Sequence, residues 1–197
     1  MVNEDNKIKL YKHLLKKYAD IINQREQRTI GEIKSLVNGT DLTVQQFIDE
    51  FKDPFYKFEE DYFDVLKEVY EKITKEIEFT EIETNINYWL SAKEIIELKV
   101  ADDEDFAVFT CACMKALDDD KAEVIIAELD NLKPHAFVIT TINDKYLLID
   151  PTQKHDLEKY YGNKLDVVKN YTYENQKIKR FLYRFNSNKY EQFFEDT

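Results

Sequence analysis

The sequence predicts an α+β fold: a layer of N-terminal helices, one helix buried on every side, and then a mostly antiparallel sheet. Three observations predict it. Up to residue 78 the apolar side chains recur at helical spacing. The stretch Phe106-Ala-Val-Phe-Thr-Cys-Ala-Cys-Met114 is apolar all round, as in a central helix. After residue 123 come short runs rich in β-branched and aromatic residues, separated by turn signals. Helices followed by strands is the α+β order.

The elements follow in chain order. Residues 5–26 carry Leu10, Leu14, Tyr18 and Ile21 at helical spacing, flanked by Tyr11, Leu15 and Ile22, so one face is expected to pack inward. Thr43, with Gln46 three residues on, reads as a capping box opening a short helix through Phe51. Pro54 is placed to start the next helix, to about Glu78, with Phe55, Phe58, Tyr62, Val65, Leu66, Val69 and Ile73 inward. Ser91 and Glu94 form a second capping box for a helix to Leu98. The all-apolar helix runs from Asp103 to Leu117. Strands are expected at Glu123–Leu129, His135–Ile142 and Tyr146–Ile149, the last two joined by a tight turn at Asn143-Asp144. A short helix near Leu157–Tyr161, strands near Leu165–Tyr173 and Lys177–Phe185, and a polar tail complete the chain. The change of character divides it into an N-terminal helical extension, residues 1–78, packed on a core of residues 79–197.

Composition narrows the function. The chain has 197 residues and a net charge of −12. An acidic body repels phosphate backbones and anionic lipid, so neither nucleic acid nor membrane is an expected partner. The segment Lys154–Lys189 is locally basic and reads most simply as a solvated face. No basic, then apolar, leader pattern opens the chain, so no signal peptide is expected, and no apolar run approaches the ~18 residues of a membrane span. Cys111 and Cys113 are the only cysteines. Two apart on one helix, they cannot bridge each other, and a cytoplasmic setting fits them.

One constellation carries chemistry. With a two-residue turn at Asn143-Asp144, Ile142 faces Lys145 and Phe137 faces Asp150. His135, two residues from Phe137, then shares its face and stands diagonal to Asp150, with Cα atoms roughly 7–8 Å apart. A carboxylate there can orient an imidazole, as the third member of a catalytic triad does. Spacing alone is served as well by a strand-edge histidine beside an Asp-Pro turn.

Three blocks of residues add to this. They are Tyr88-Trp-Leu-Ser-Ala-Lys-Glu-Ile95 with Ala101-Asp-Asp-Glu-Asp-Phe-Ala107, then His135-Ala-Phe-Val138, then Leu148-Ile-Asp-Pro-Thr152. Together they resemble the transglutaminase-like (papain-like) superfamily, nearest its bacterial cysteine-proteinase branch, in family order and at family-like spacing. That family opens its buried helix with Gly-Asp-Cys-Glu-Asp-Tyr-Ala and follows with His-Ala-Trp-Val and Asp-Pro-Thr strands. The resemblance implies a papain-like core with a triad of cysteine, histidine and aspartate. It covers about residues 80–153. His135 and Asp150 carry over. The cysteine position is occupied by Asp103, which also suits the cap of a helix.

The expectation is therefore a catalytically inactive family member, a binding or scaffold module for a peptide or protein, without cofactor or metal. Two alternatives stay open. One is a thiol hydrolase or acyltransferase using Cys111 with His135 and Asp150. Cys111 lies about 12 Å into the helix, away from the dipole that lowers a thiol pKa. The other is a divalent metal on Asp103, His135 and Asp150, ligand types such a site uses. His13 and His155 read as solvated, and Trp89 as a core anchor.

Overall fold

The computed structural model describes residues 4–81 and 86–194. The first helix, α1, spans Glu4–Arg25. A short α2, Ile30–Leu36, follows behind a capping box of Thr29 and Glu32, an element the sequence reading left unassigned. Helix α3 is Leu42–Ile48 and its cap is Asp41, whose carboxylate accepts from the Thr43 and Val44 N–H groups. Thr43 is thus inside the helix rather than its cap. A carboxylate also meets the positive end of the helix dipole, which a hydroxyl does not.

Helix α4, Phe58–Glu76, buries Tyr62, Leu66, Val69, Tyr70 and Ile73 on one face. It begins four residues after Pro54, because Asp53–Tyr56 closes into a turn of its own: the Asp53 carboxylate accepts the Phe55 N–H at 2.7 Å. Phe55, expected inward, is consequently 84% exposed. Strand β1 (Glu78–Phe79) pairs in parallel with β2 (Val100–Ala101) across α5 (Ala92–Leu98), which keeps the predicted Ser91–Glu94 capping box. Helix α6, Asp103–Ala116, is buried along nearly its whole length, as its all-round apolar sequence requires.

The sheet has six strands in the order β6-β5-β4-β3-β7-β8, all antiparallel. They are β3 (Glu123–Leu129), β4 (Pro134–Ile142), β5 (Lys145–Ile149), β6 (Tyr161–Gly162), β7 (Ile178–Phe185) and β8 (Tyr190–Gln192). β8 lies in the stretch expected to be a polar tail. The residues expected as a strand near 165–173 instead form helix α7, Lys164–Asn170. Asn163 starts it by accepting the Leu165 N–H at 2.9 Å, so a local cap overrides the β-branched pair Val167-Val168. Leu157–Tyr160 is a single 3-10 turn.

Both faces of the central strands are buried. Val124, Ile126, Ala136, Val138, Leu147 and Ile149 meet α6, and that same cluster takes in Phe47 and Ile48 of α3 and Leu66, Val69 and Ile73 of α4. Ile125, Phe137, Ile139 and Leu148 face the other way, onto Tyr160, Val167 and Tyr171. The β3–β5 runs therefore read as continuous apolar stretches rather than strict alternations. Gly39 lets the α2–α3 loop lie on the end of α6, since a Cβ there would come 2.6 Å from backbone atoms of Lys115 and Ala116.

Helix α1 departs from expectation. Leu10, Leu14, Tyr18 and Ile21 are all exposed, and among the described residues of the helix only Ala19 is buried. The periodicity marked an apolar face correctly but not what covers it. Among the described residues, no helix is long and apolar enough to cross a membrane.

Candidate functional site

The site forms where the start of α6 meets the ends of β4 and β5. The run Asp102-Asp-Glu-Asp105 offers four carboxylates to one helix N-terminus, and tertiary contacts sort them. Asp102 is the cap, accepting the Asp105 N–H at 2.9 Å. Asp105 turns inward and accepts the Leu90 N–H at 2.7 Å, tying the segment before α5 to α6. Asp103, expected as the cap, stands one position into the helix. Its carboxylate points across to β4, where Oδ2 accepts the Ala136 N–H at 2.9 Å and lies 3.0 Å from His135 Nδ1.

The β4–β5 ladder pairs Ile142 with Lys145 and Val138 with Ile149, the register that a two-residue turn requires. Asn143 and Asp144 both take positive φ, at 50° and 59°, the backbone of a type I′ turn. In that register His135 and Asp150 come together: Nε2 is 3.0 Å from Asp150 Oδ2. The imidazole thus lies between two carboxylates, one at each ring nitrogen. Asp150 is wholly buried. It is also satisfied by the Tyr171 hydroxyl at 2.7 Å, the Gln153 amide at 2.7 Å, and the Thr152 hydroxyl and N–H at 2.7 and 3.1 Å. Tyr173 stacks on the ring, centroids 3.9 Å apart and 18° from parallel.

Gln153, Tyr171 and Tyr173 are contacts the sequence reading missed. Thr152 was in view as part of the Asp-Pro-Thr block. The tyrosines belong to the segment misread as strand, and the tight turn at Glu174-Asn175, both at positive φ, was the available signal for how Tyr173 returns toward the ring.

The charges follow. Burial alone would lower the His135 pKa, but hydrogen bonds and attraction from Asp103 and Asp150 outweigh it and raise it to about 9. The ring is an imidazolium at neutral pH. For Asp150, burial pushes upward, yet His135, Tyr171 and Gln153 hold it below the usual carboxylate range. Glu104, raised to about 8, is lifted by burial and then by repulsion from Asp103 and Asp102. Asp102 is raised to about 6 by burial and then by repulsion from Asp103, and Asp105 to about 8 by burial and then by repulsion from Asp102.

These shifts fix a stability profile. Between its unfolded value near 6.5 and about 9, His135 holds more proton folded than unfolded. Glu104 does the same from about 4.5 to about 8. Where the native state binds the extra protons, stability falls as pH rises. Asp150 works in the opposite sense, but only below the ordinary carboxylate range. Below about pH 6.5 His155, lowered by burial, works against this trend, so the melting temperature is expected to fall from about pH 6.5 to pH 9, and Glu104→Gln to flatten the lower part of that slope. A flat or rising profile by calorimetry would contradict these assignments.

Beside the ring opens a cavity of about 590 Å³. Phe79, Ile86, Leu129, Pro134 and Tyr173 give it apolar walls, Glu81, Asp102, Asp103, Glu104 and Glu174 its acids, and Lys133 a cation besides the His135 ring. Cys111 does not join it. That thiol is fully buried in α6, where burial and then Asp119 push its pKa far above the ordinary range. Cys113 is equally buried and raised for the same first reason. Asp103 and Asp150 approach opposite nitrogens of His135, so the three cannot converge on one ion, and among the described residues no group of three potential ligands forms a metal-holding arrangement. Trp89 is buried against Phe185, with its indole N–H donated to Asn87 at 2.9 Å. His13 is exposed; His155 is half-buried, edge-on to Tyr160, rather than solvated.

Comparison with known proteins supplies the last observations. A family described as transglutaminase-like domain matches residues 35–180. Among solved structures, Legionella pneumophila LapG treated with EGTA is similar over 86% of this chain and 88% of its own, with a TM-score of 0.51 and 18% identity. A second structure of Legionella pneumophila LapG aligns over 84% and 88%, with a TM-score of 0.51 and 17% identity. At such identities the likeness is one of fold. No curated protein matches by sequence.

Proposed function

The chain belongs to the transglutaminase-like domain family, and on that premise we propose that it is a non-catalytic member whose cleft binds an extended peptide segment of a partner. The observation that carries this reading is the double clamp on His135. Each ring nitrogen faces a carboxylate at 3.0 Å, so no nitrogen is left to take a proton from a nucleophile. Asp103 occupies the place beside the ring that a family thiol would hold. A carboxylate is a far weaker nucleophile toward an amide than a thiolate, and both cysteines lie in the core without access to the ring.

The cleft keeps what binding needs after chemistry is removed. It has apolar walls for side chains and a rim of carboxylates, so a segment carrying lysine or arginine next to apolar residues fits it best. Attraction at a partly exposed rim is screened by salt, so affinity should weaken as ionic strength rises. Within this proposal the helices before residue 79 are an extension packed on the binding core.

The test has two readouts. A fluorescent Lys/Arg-rich decapeptide should bind the native chain more tightly than its Glu/Asp counterpart, by about tenfold or more at low salt, a difference of ~1.4 kcal/mol. Native protein should also resist iodoacetamide, both cysteines reacting only in denaturant. A fast-reacting native thiol would return the reading to an enzyme using Cys111, and equal binding of the two peptides would remove the cationic partner.

A further inference from the structure

The face of α1 that the sequence predicted to be inward is the feature the rest of the molecule leaves unexplained. Residues 6–18 are exposed without exception. Ile8, Leu10, Tyr11, Leu14, Leu15, Tyr18 and Ile21 range from 39 to 59% exposed. The helix is anchored near its C-terminal end, where Ala19 is buried and the Asn23 side chain accepts the Asn87 N–H at 2.8 Å. Its first half projects from the body.

From this geometry we infer that α1 is a dimerisation helix, and that its apolar seam packs antiparallel against α1 of a second copy of this chain. Two observations choose that occupant. Tyr11, Leu14, Tyr18 and Ile21 follow one another at steps of three, four and three, the spacing of a two-helix seam. Seven large apolar side chains lie exposed along this one helix, a contiguous group rather than the scattered single residues ordinary on a surface.

Charge sets the direction. Within α1, Lys7, Lys9, Lys12, Lys16, Lys17 and Arg25 stand against Glu4, Asp5 and Asp20, a net of +3, which leaves −15 on the rest of a chain whose total is −12. A parallel pair would bring two acidic bodies side by side. An antiparallel pair separates them by about a helix length, ~33 Å for 22 residues, and carries each net-positive α1 toward the acidic body of the other copy.

Sedimentation velocity on the full chain from 1 to 100 μM is the test, with Leu14→Glu/Ile21→Glu as the variant. Both positions lie outside the core, and a melting curve equal to the wild type verifies that the fold is kept. The wild type is expected as a dimer of the 23.6 kDa chain, and the variant as a monomer with association at least ~100-fold weaker. A wild type that stays monomeric throughout, or a variant that stays dimeric, overturns the inference. So does a monomer whose α1 binds phosphatidylserine vesicles instead. Lys7→Cys tests direction: rapid disulfide cross-linking between copies at that position means a parallel pair and overturns the antiparallel one.

Discussion

Asp150→Ala is expected to lower stability by about 3–5 kcal/mol, the cost of breaking one side of a buried ion pair. The size follows from what the carboxylate holds. His135 is an imidazolium at neutral pH with only Asp103 left to balance it after the substitution. The Tyr171 hydroxyl and the Gln153 amide also lose their acceptor. An unmade buried hydrogen bond costs roughly 1–3 kcal/mol, so the total is not inflated by the charge alone. At this chain length each kcal/mol moves the melting point by about 2–4 °C, so a drop of roughly 10 °C should be seen by calorimetry at pH 7. Asp150→Asn separates the contributions. It keeps the shape and some of the hydrogen bonds while removing the charge, so it should cost less and should lower the His135 pKa, measurable by NMR titration of the ring. A loss below about 1 kcal/mol for Asp150→Ala would mean that His135 is neutral in the fold or that Asp103 alone suffices for it.

The fold was legible in the sequence to the extent that it is set locally. The hairpin could be registered because Asn143-Asp144 specifies a two-residue turn from its own backbone preferences, and register then places His135 and Asp150 on one face. Helix α6 was legible because only a buried helix tolerates apolar residues all round. What was not legible depends on partners distant in sequence. Four consecutive acidic residues leave the capping residue undecided by one position; the choice of Asp102 is made by His135 and Ala136, which draw Asp103 across to β4. Tyr171 and Tyr173 reach the site from beyond α7, a helix whose start is set by the Asn163 cap and not by the β-branched pair that follows it. The apolar face of α1 was correctly periodic, but periodicity states only that a face needs cover, not whether the same chain supplies it.

Asp103→Cys is the change with the largest expected chemical effect, because it places a thiol beside the imidazolium at the start of a 14-residue helix. Three influences act on that sulfur. The His135 cation, whose Nδ1 now lies 3.0 Å from the carboxylate being replaced, favours the thiolate. The helix N-terminus favours it as well. Asp102, Glu104 and Asp105 oppose it, but burial raises all three, and Glu104 at about 8 is largely protonated at neutral pH. The attractive pair therefore wins, and the thiol pKa is expected to drop from about 8.5 into the range of roughly 3.5–7.5 seen beside cations and helix starts. Asp150 would continue to hold the ring through Nε2, so the variant gains a nucleophile with its orienting carboxylate already in place. The measurement is the rate of iodoacetamide alkylation against pH. Cys111 and Cys113 are buried, so the new thiol is the one read out in the native state. An inflection below pH 7.5, lost in His135→Ala/Asp103→Cys, is the expected result. A thiol that titrates near 8.5 would show that the side chain at position 103 does not engage the ring, and with it would go the reading that an acid has taken the place of the sulfur.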